Sequence, residues 1–244
     1  MIIDVHAHCG RWYFPSNLTE PEQVSVLCDT YGIREIVFSS SLAILYDMVE
    51  GNLQTSGFIE GDERFHGYIY LDPADPVTSE EEIAKYAGNP SFAGVKMHPS
   101  YSGEQPDSQN TMGLLEKLEE KTRVLIHTWG PDGVRRVCNL ASHFPDLQFI
   151  MGHMGGTDVG GWMAGIEGAR TTPNTYLEIC GSLLHHDRIA QAVKKVGSGR
   201  ILFGSDTTLI SPAWSIGQVT GSGISELDKR KILHENAAAL FGFR

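Results

Sequence analysis

The chain has 244 residues, 41% hydrophobic and 20% charged, with a formal net charge of −11. This balance suits one soluble globular domain over residues 1–244, a size that α/β barrels commonly fill, and no apolar run approaches the roughly 18 residues of a membrane span. The acidic balance argues against non-specific nucleic-acid binding, which depends on Lys and Arg neutralising phosphates. The four scattered cysteines (Cys9, Cys28, Cys138 and Cys180), with no C-x-x-C pair, argue against a disulfide framework or a zinc ribbon.

Strand-like sequence begins at Ile2 with no basic segment before it, so no signal peptide is expected and the expected compartment is the cytoplasm. In Ile2-Ile3-Asp4-Val5-His6-Ala7-His8 apolar and polar residues alternate, the period of a strand. Strict alternation places Asp4, His6 and His8 on one face and Ile3, Val5 and Ala7 on the other. Seven further apolar runs follow, at 35–40, 66–71, 93–98, 124–128, 147–153, 175–180 and 200–206. Several are near-continuous in Val, Ile, Leu and Phe, as parallel strands buried on both faces are.

Helical segments are expected between them. Pro21–Tyr31 opens on Thr19-Glu20-Pro21 as cap and early proline, and Gly32 closes it. Further helices are expected over 42–58, from Thr78-Ser79-Glu80-Glu81 to Gly88-Asn89-Pro90, and over 111–121, 131–143, 186–196 and 225–241. The glycine-rich stretch 152–168 reads as a long loop after the sixth strand; it lacks the Gly-Lys-Ser/Thr ending of a phosphate-binding loop. Strand and helix alternating eight times predicts a single (β/α)8 barrel. An open doubly wound sheet is the alternative, but it wants a glycine-rich turn after its first strand, where this chain has His-Ala-His.

The carboxyl ends of the runs carry the polar residues: His6 and His8 on the first, Lys96 and His98 on the fourth, His127 on the fifth, His153 on the sixth and Asp206 on the eighth. In a barrel these ends converge on the face that holds the active site. A lone histidine there is more often a satisfied core residue. Five such ends together point to a divalent metal held by imidazole and carboxylate. Lys96 shares the inner face, because Val95 and Met97 take the other. An unpaired buried ammonium is costly, so Lys96 is expected to be carbamylated, paired with a carboxylate such as Asp206, or holding an anionic substrate.

The set His-x-His, Lys, His, His and Asp resembles the amidohydrolase superfamily. Gly-Val-Lys-Met-His-Pro at 94–99, Gly-His-Met-Gly-Gly at 152–156, Phe-Gly-Ser-Asp at 203–206 and Glu-Asn-Ala-Ala-Ala-Leu-Phe at 235–241 resemble its amidohydrolase-related branch. The resemblance spans nearly the whole chain and implies a metal-dependent hydrolase. By position it implies His6, His8, His127 and Asp206 as ligands of one metal, with His153 beside it as acid/base or polarising group. In the two-metal form, His127 and His153 hold the second ion and a carboxylated Lys96 bridges the pair. One zinc is the expectation over two, with manganese or another divalent ion as the alternative.

The catalytic residues so implied are Asp206, His153 and Lys96. Asp206 acts as general base and then general acid on a metal-activated water, cleaving a small amide, lactone, ester or C–C substrate. The same branch holds zinc decarboxylases of aromatic or enol acids, which is the second reading. A TatD-like metal nuclease is disfavoured by Lys96 and by Gly204-Ser205-Asp206, and a non-catalytic metal-binding module by the base beside the open site. Residues in loops at this barrel face are expected to shape a small-molecule substrate: Arg11 as an anion clamp, with Trp12, His98, Tyr101, Trp129, Trp162 and His185. Glu178 is expected either to orient a ligand histidine from behind or to pair with Lys96 or Arg11. Asp4 is expected in a buried hydrogen bond, His66 in a structural role, and His143 and His234 on the surface. No nucleic-acid or membrane partner is expected, and a homodimer is the commonest oligomer for such a chain.

Overall fold

A computed structural model describes residues 1–15, 18–156, 158–181 and 187–243. Eight parallel strands lie side by side in chain order: β1 (Ile2–Cys9), β2 (Ile33–Ser40), β3 (Phe65–Tyr70), β4 (Phe92–Met97), β5 (Arg123–His127), β6 (Gln148–Gly152), β7 (Thr175–Glu178) and β8 (Ile201–Leu202). The chain leaving β8 closes the ring on β1: Val5 N donates to Phe203 O at 3.0 Å, Asp206 N donates to His6 O at 2.8 Å, and Ala7 pairs with Thr207. The fold is the (β/α)8 barrel that the strand–helix rhythm predicts. Among the described residues no helix is long and apolar enough to cross a membrane.

The strands sort their side chains into two cores. Val95 and Met97 of β4 and Val124 and Ile126 of β5 face outward, into the layer between strands and helices. Val37, Tyr68, Leu125, Ile150 and Leu202 form a separate inner cluster that Ala237 and Phe241 of the C-terminal helix plug. Ile3 and Val5 belong to this inner cluster too, which corrects the strict alternation expected along β1. Asp4 pairs with Ile36 but Ala7 with Phe38, so β1 carries one residue more than β2 across this stretch. Such a bulge switches the parity of a strand. Ile3 and Val5 fill the barrel below the bulge, and His6 and His8 meet the groups of the barrel mouth above it.

The helix Pro21–Tyr31 stands where expected, but its cap is Glu20 rather than Thr19, in a reciprocal capping box with Gln23. The segment 42–58 divides into Ser41–Leu45 and Met48–Ile59, because Asp47 accepts from Glu50 N at 3.0 Å and starts a new helix. The helix expected from Thr78 begins earlier, at Pro76, since Asp75 supplies the cap. The helix expected over 111–121 is Gln109–Leu115, capped by Ser108.

The largest correction concerns 152–168. It is not a loop: a 3-10 turn, His153–Gly155, leads into the helix Val159–Thr171. Glycine reads as loop in a sequence, yet here it permits contact. A Cβ at Gly165 would overlap the carbonyl oxygen of Met154, and one at Gly168 would lie 2.7 Å from Cys138 Sγ.

At the far end of the barrel His66 Nε2 meets Glu35 Oε2 at 2.7 Å and its ring stacks on Phe243. His143 is exposed, as expected, whereas His234 is half-buried. Nearby, Arg64 ties the helix Pro21–Tyr31 to the turn before β3. Its guanidinium reaches Asp62 through Nε at 2.9 Å and Nη2 at 2.6 Å, and Asp29 through Nη1 at 2.6 Å. The hydrogen bonds from Arg64 hold the Asp62 carboxyl well below the usual carboxylate range. A depressed folded-state pKa means stability that is present at neutral pH and lost as pH falls through the carboxylate range. Asp62→Asn is therefore expected to cost about 1–3 kcal/mol at neutral pH, and the difference from the parent should vanish in acid. Denaturant melts at the two pH values check this.

Candidate active site

The strand ends meet around a cavity of about 430 Å³ whose floor is His6, His8, His153 and Asp206. Its walls are aromatic: Trp12, Tyr13, Phe14, Tyr101 and Trp129. His98 and His127 lie between floor and wall, with their rings stacked at 3.8 Å between centroids and Trp129 stacked in turn on His127 at 5.2 Å.

Each floor imidazole is oriented from behind. His6 Nδ1 lies 2.8 Å from Glu178 Oε2, and the acceptor-only carboxylate makes that nitrogen the donor. His8 Nδ1 lies 3.2 Å from the carbonyl oxygen of Ser39, an acceptor, and 3.1 Å from its Oγ, which can donate, so Ser39 serves either tautomer. His6 Nε2 is thereby left as a lone-pair donor, and His8 Nε2 is one as well when its proton sits on Nδ1. Asp206 completes the arrangement, its Oδ1 3.1 Å from His8 Nε2 and 3.8 Å from His6 Nε2. Asp206 has a φ of 64°, in the left-handed region, and its N–H is fixed to His6 O. The Asp4 carboxylate accepts from Ser205 Oγ at 2.5 Å, Ser205 N at 3.0 Å and His6 N at 3.1 Å. That clasp joins β1 to the Ser205–Asp206 turn, and burial pushes the Asp4 carboxyl up to about 7.

The donor set fits a divalent cation. His6, His8 and Asp206 offer three ligand atoms within 4.8 Å of one another. With its proton on Nε2, His8 donates to Asp206 Oδ1 at 3.1 Å; with the proton on Nδ1, a bare lone pair meets the carboxylate oxygen, and a cation between them relieves that opposition. Two imidazole nitrogens and a carboxylate oxygen are ligands of first-row divalent ions.

Charge is controlled by burial. Burial, and then the Lys96 charge, keep His6 well below the usual imidazole range; burial comes first for His98, His127 and His153 as well. Burial alone would raise the Asp206 carboxyl, but the hydrogen bond from His8 and the imidazoles of His6 and His153 hold it well below the usual carboxylate range. Lys96 is fully buried, and burial lowers its ammonium to about 8.

Several expected site residues stand elsewhere than the sequence suggested. Lys96 Nζ pairs with His6 Nε2 at 2.8 Å rather than with a carboxylate. His127 lies outside the three-ligand group and gives its Nδ1 to His153 Nε2 at 2.9 Å. Trp12, His98, Tyr101 and Trp129 line the cavity. Arg11 lines neighbouring surface grooves instead. Trp162 is buried in the helix Val159–Thr171, packed into the outer core. His185 falls outside the described residues.

Sequence reading passed over Ser39 and Cys180. The Cys180 thiol donates to Glu178 Oε2 at 3.0 Å, with His153 Nδ1 at 3.1 Å and His6 Nδ1 at 3.2 Å around it. The available signal was its place two residues after Glu178 at the end of β7. Gly204 is the silent member of the site: a Cβ there would overlap Glu178 Oε1 and stand 2.9 Å from His6 Cβ. Gly204→Ala is expected to weaken metal binding by about 10–100-fold through displacement of the Glu178–His6 pair, with secondary structure retained. Metal-binding isotherms beside circular dichroism check this.

A barrel whose strand ends converge two histidines and an aspartate at the floor of an aromatic-walled cavity defines a metal-dependent enzyme. The sequence profile of the amidohydrolase family matches residues 3–243, and the chain belongs to that family. No curated protein matches it in sequence. Solved structures share the fold. The 5-carboxyvanillate decarboxylase of Sphingomonas paucimobilis superposes with a TM-score of 0.78 at 15% identity, over 100% of this chain and 99% of that one. The dihydroxybenzoic acid decarboxylase of Polaromonas sp. JS666, with bound manganese and 2-nitroresorcinol, gives 0.77 at 18% identity, over 99% and 96%. An amidohydrolase of Burkholderia multivorans gives 0.75 at 13% identity, over 100% of both chains.

Proposed function

We propose that the protein is a hydrolase of small, ring-bearing amides, lactones or esters, or of a C–C bond activated by neighbouring carbonyls, and that it works with one divalent cation, zinc in our reading. The observation that carries this is Asp206: its carboxylate faces both the His6–His8 pair and the cavity. His6 Nε2, His8 Nε2 and an Asp206 oxygen would hold the ion. A cation there supplies Lewis acidity and makes water a ready proton donor near neutral pH.

Asp206 accepts the proton of the attacking water and returns it to the leaving group. His153 faces the cavity beside it and is steadied by His127, so it is placed to polarise the bond under attack. The walls formed by Trp12, Tyr101 and Trp129 bind a flat substrate and exclude water from the floor.

A second reading, decarboxylation of an aromatic acid, is supported by those aromatic walls and by the structural likeness to aromatic-acid decarboxylases. In that case Asp206 or His153 delivers a proton to carbon. Parallel assays in ¹⁸O-labelled water separate the two. Label in the product supports hydrolysis; carbon dioxide release without label replaces it by the second reading. Chelation should abolish either activity, and zinc or manganese should restore it. Activity that survives complete metal removal overturns both.

A further inference from the structure

Behind the floor of the cavity, three side chains that can bind a metal crowd around one thiol. Cys180 Sγ has one hydrogen, yet Glu178 Oε2, His153 Nδ1 and His6 Nδ1 all stand within 3.0–3.2 Å of it. All four side chains are buried. The sulfur and the two ring nitrogens fall within 4.8 Å of one another, a group distinct from the outer His6–His8–Asp206 set. His6, His153 and Gly181 line the cavity, so this inner pocket is reached through the same mouth.

We propose that Cys180 Sγ, His153 Nδ1 and His6 Nδ1 form an inner site for a thiophilic divalent cation, beside the Glu178 carboxylate, and that this site excludes the outer one. A thiolate with two imidazoles favours the softest ions, cadmium above zinc, whereas the carboxylate-bearing outer set suits zinc and manganese. Exclusion follows from His6, which belongs to both groups. A neutral imidazole offers a lone pair at only one nitrogen. An ion on Nδ1 therefore places the proton on Nε2, the atom the outer set requires.

The Cys180 S–H bond breaks as the S–metal bond forms, and its proton leaves to solvent by way of Glu178. The His6 proton moves from Nδ1 to Nε2, where Lys96 Nζ at 2.8 Å changes from donor to acceptor and releases one proton. Two protons leave in total and nothing is oxidised or reduced. A thiophilic ion in excess thus withdraws His6 from the outer set and releases the ion held there.

The test uses the full chain loaded with Mn²⁺ and titrated with Cd²⁺, reading thiolate-to-cadmium absorption in the ultraviolet and free Mn²⁺ by electron paramagnetic resonance. The absorption should rise to one equivalent as one equivalent of Mn²⁺ is released. Cys180→Ser should lose both signals while its thermal melt stays that of the parent. Cys138→Ser, altering a thiol remote from the cavity, should keep both. Asp206→Asn should keep the cadmium absorption, so a failure of the outer site is distinguishable from a failure of the inner one. Three results overturn the proposal: cadmium binding without thiolate absorption, absorption that survives Cys180→Ser, or Mn²⁺ that stays bound at full cadmium absorption. Should Cys180→Ser fold poorly, His153→Gln supplies the same comparison from the imidazole side.

Discussion

Asp206→Asn is expected to lower turnover by about 10²–10⁴-fold, the contribution of a positioned general base, while substrate binding changes little. The amide keeps the size and one acceptor oxygen of the carboxylate but cannot take a proton from water. The variant is also conformationally clean. Asp206 has a φ of 64°, and Asn tolerates that left-handed region as well as Asp does. A fold failure therefore does not confound the kinetics. Steady-state rates with metal content measured on the same sample check it. Unchanged turnover with the metal retained removes Asp206 from the proton path.

The second large effect is expected at Glu178, on which four groups converge. His6 Nδ1, the Cys180 thiol and His153 N bond to Oε2, and Cys180 N to Oε1. Glu178 has no solvent exposure, so any group it abandons is left without water. In Glu178→Gln one carboxylate oxygen becomes an NH₂ that faces donors. Each stranded group costs about 1–3 kcal/mol, and His6 loses the partner that holds its proton on Nδ1. The expected outcome is a clear fall in melting temperature together with metal binding weakened by about 10–100-fold. Metal-free melts separate the two effects: stability should fall even without metal, because the stranded donors are buried in either state. A variant that melts like the parent but binds metal poorly would confine Glu178 to orienting His6.

The legibility of this chain follows from the range of each interaction. The barrel is written in local periods: apolar runs recur between capped helices, and each unit of strand and helix is specified by its own residues. Convergence of His6, His8, His153 and Asp206 follows from the barrel, since parallel strands end on one face. The bulge in β1 was not legible, because it is defined by pairing with β2, and alternation within one strand cannot register an extra residue. The helix Val159–Thr171 was hidden for a related reason. Its glycines meet Met154 and Cys138 across a gap, and a sequence displays the missing side chain without the neighbour that requires it.

By itself, the sequence determined the barrel, the face on which chemistry can occur and the residue types brought there, all consequences of local periodicity and chain order. Only the tertiary structure decided which nitrogen of each histidine faces the cavity, because that depends on Glu178 and Ser39, far from His6 and His8 in the chain. It also decided that Lys96 meets His6, that His127 pairs with His153, that Trp162 turns into the core and that Cys180 stands beside Glu178, His153 and His6. Each of these is a contact of a few ångströms between strands, set by register and burial, and neither quantity is local.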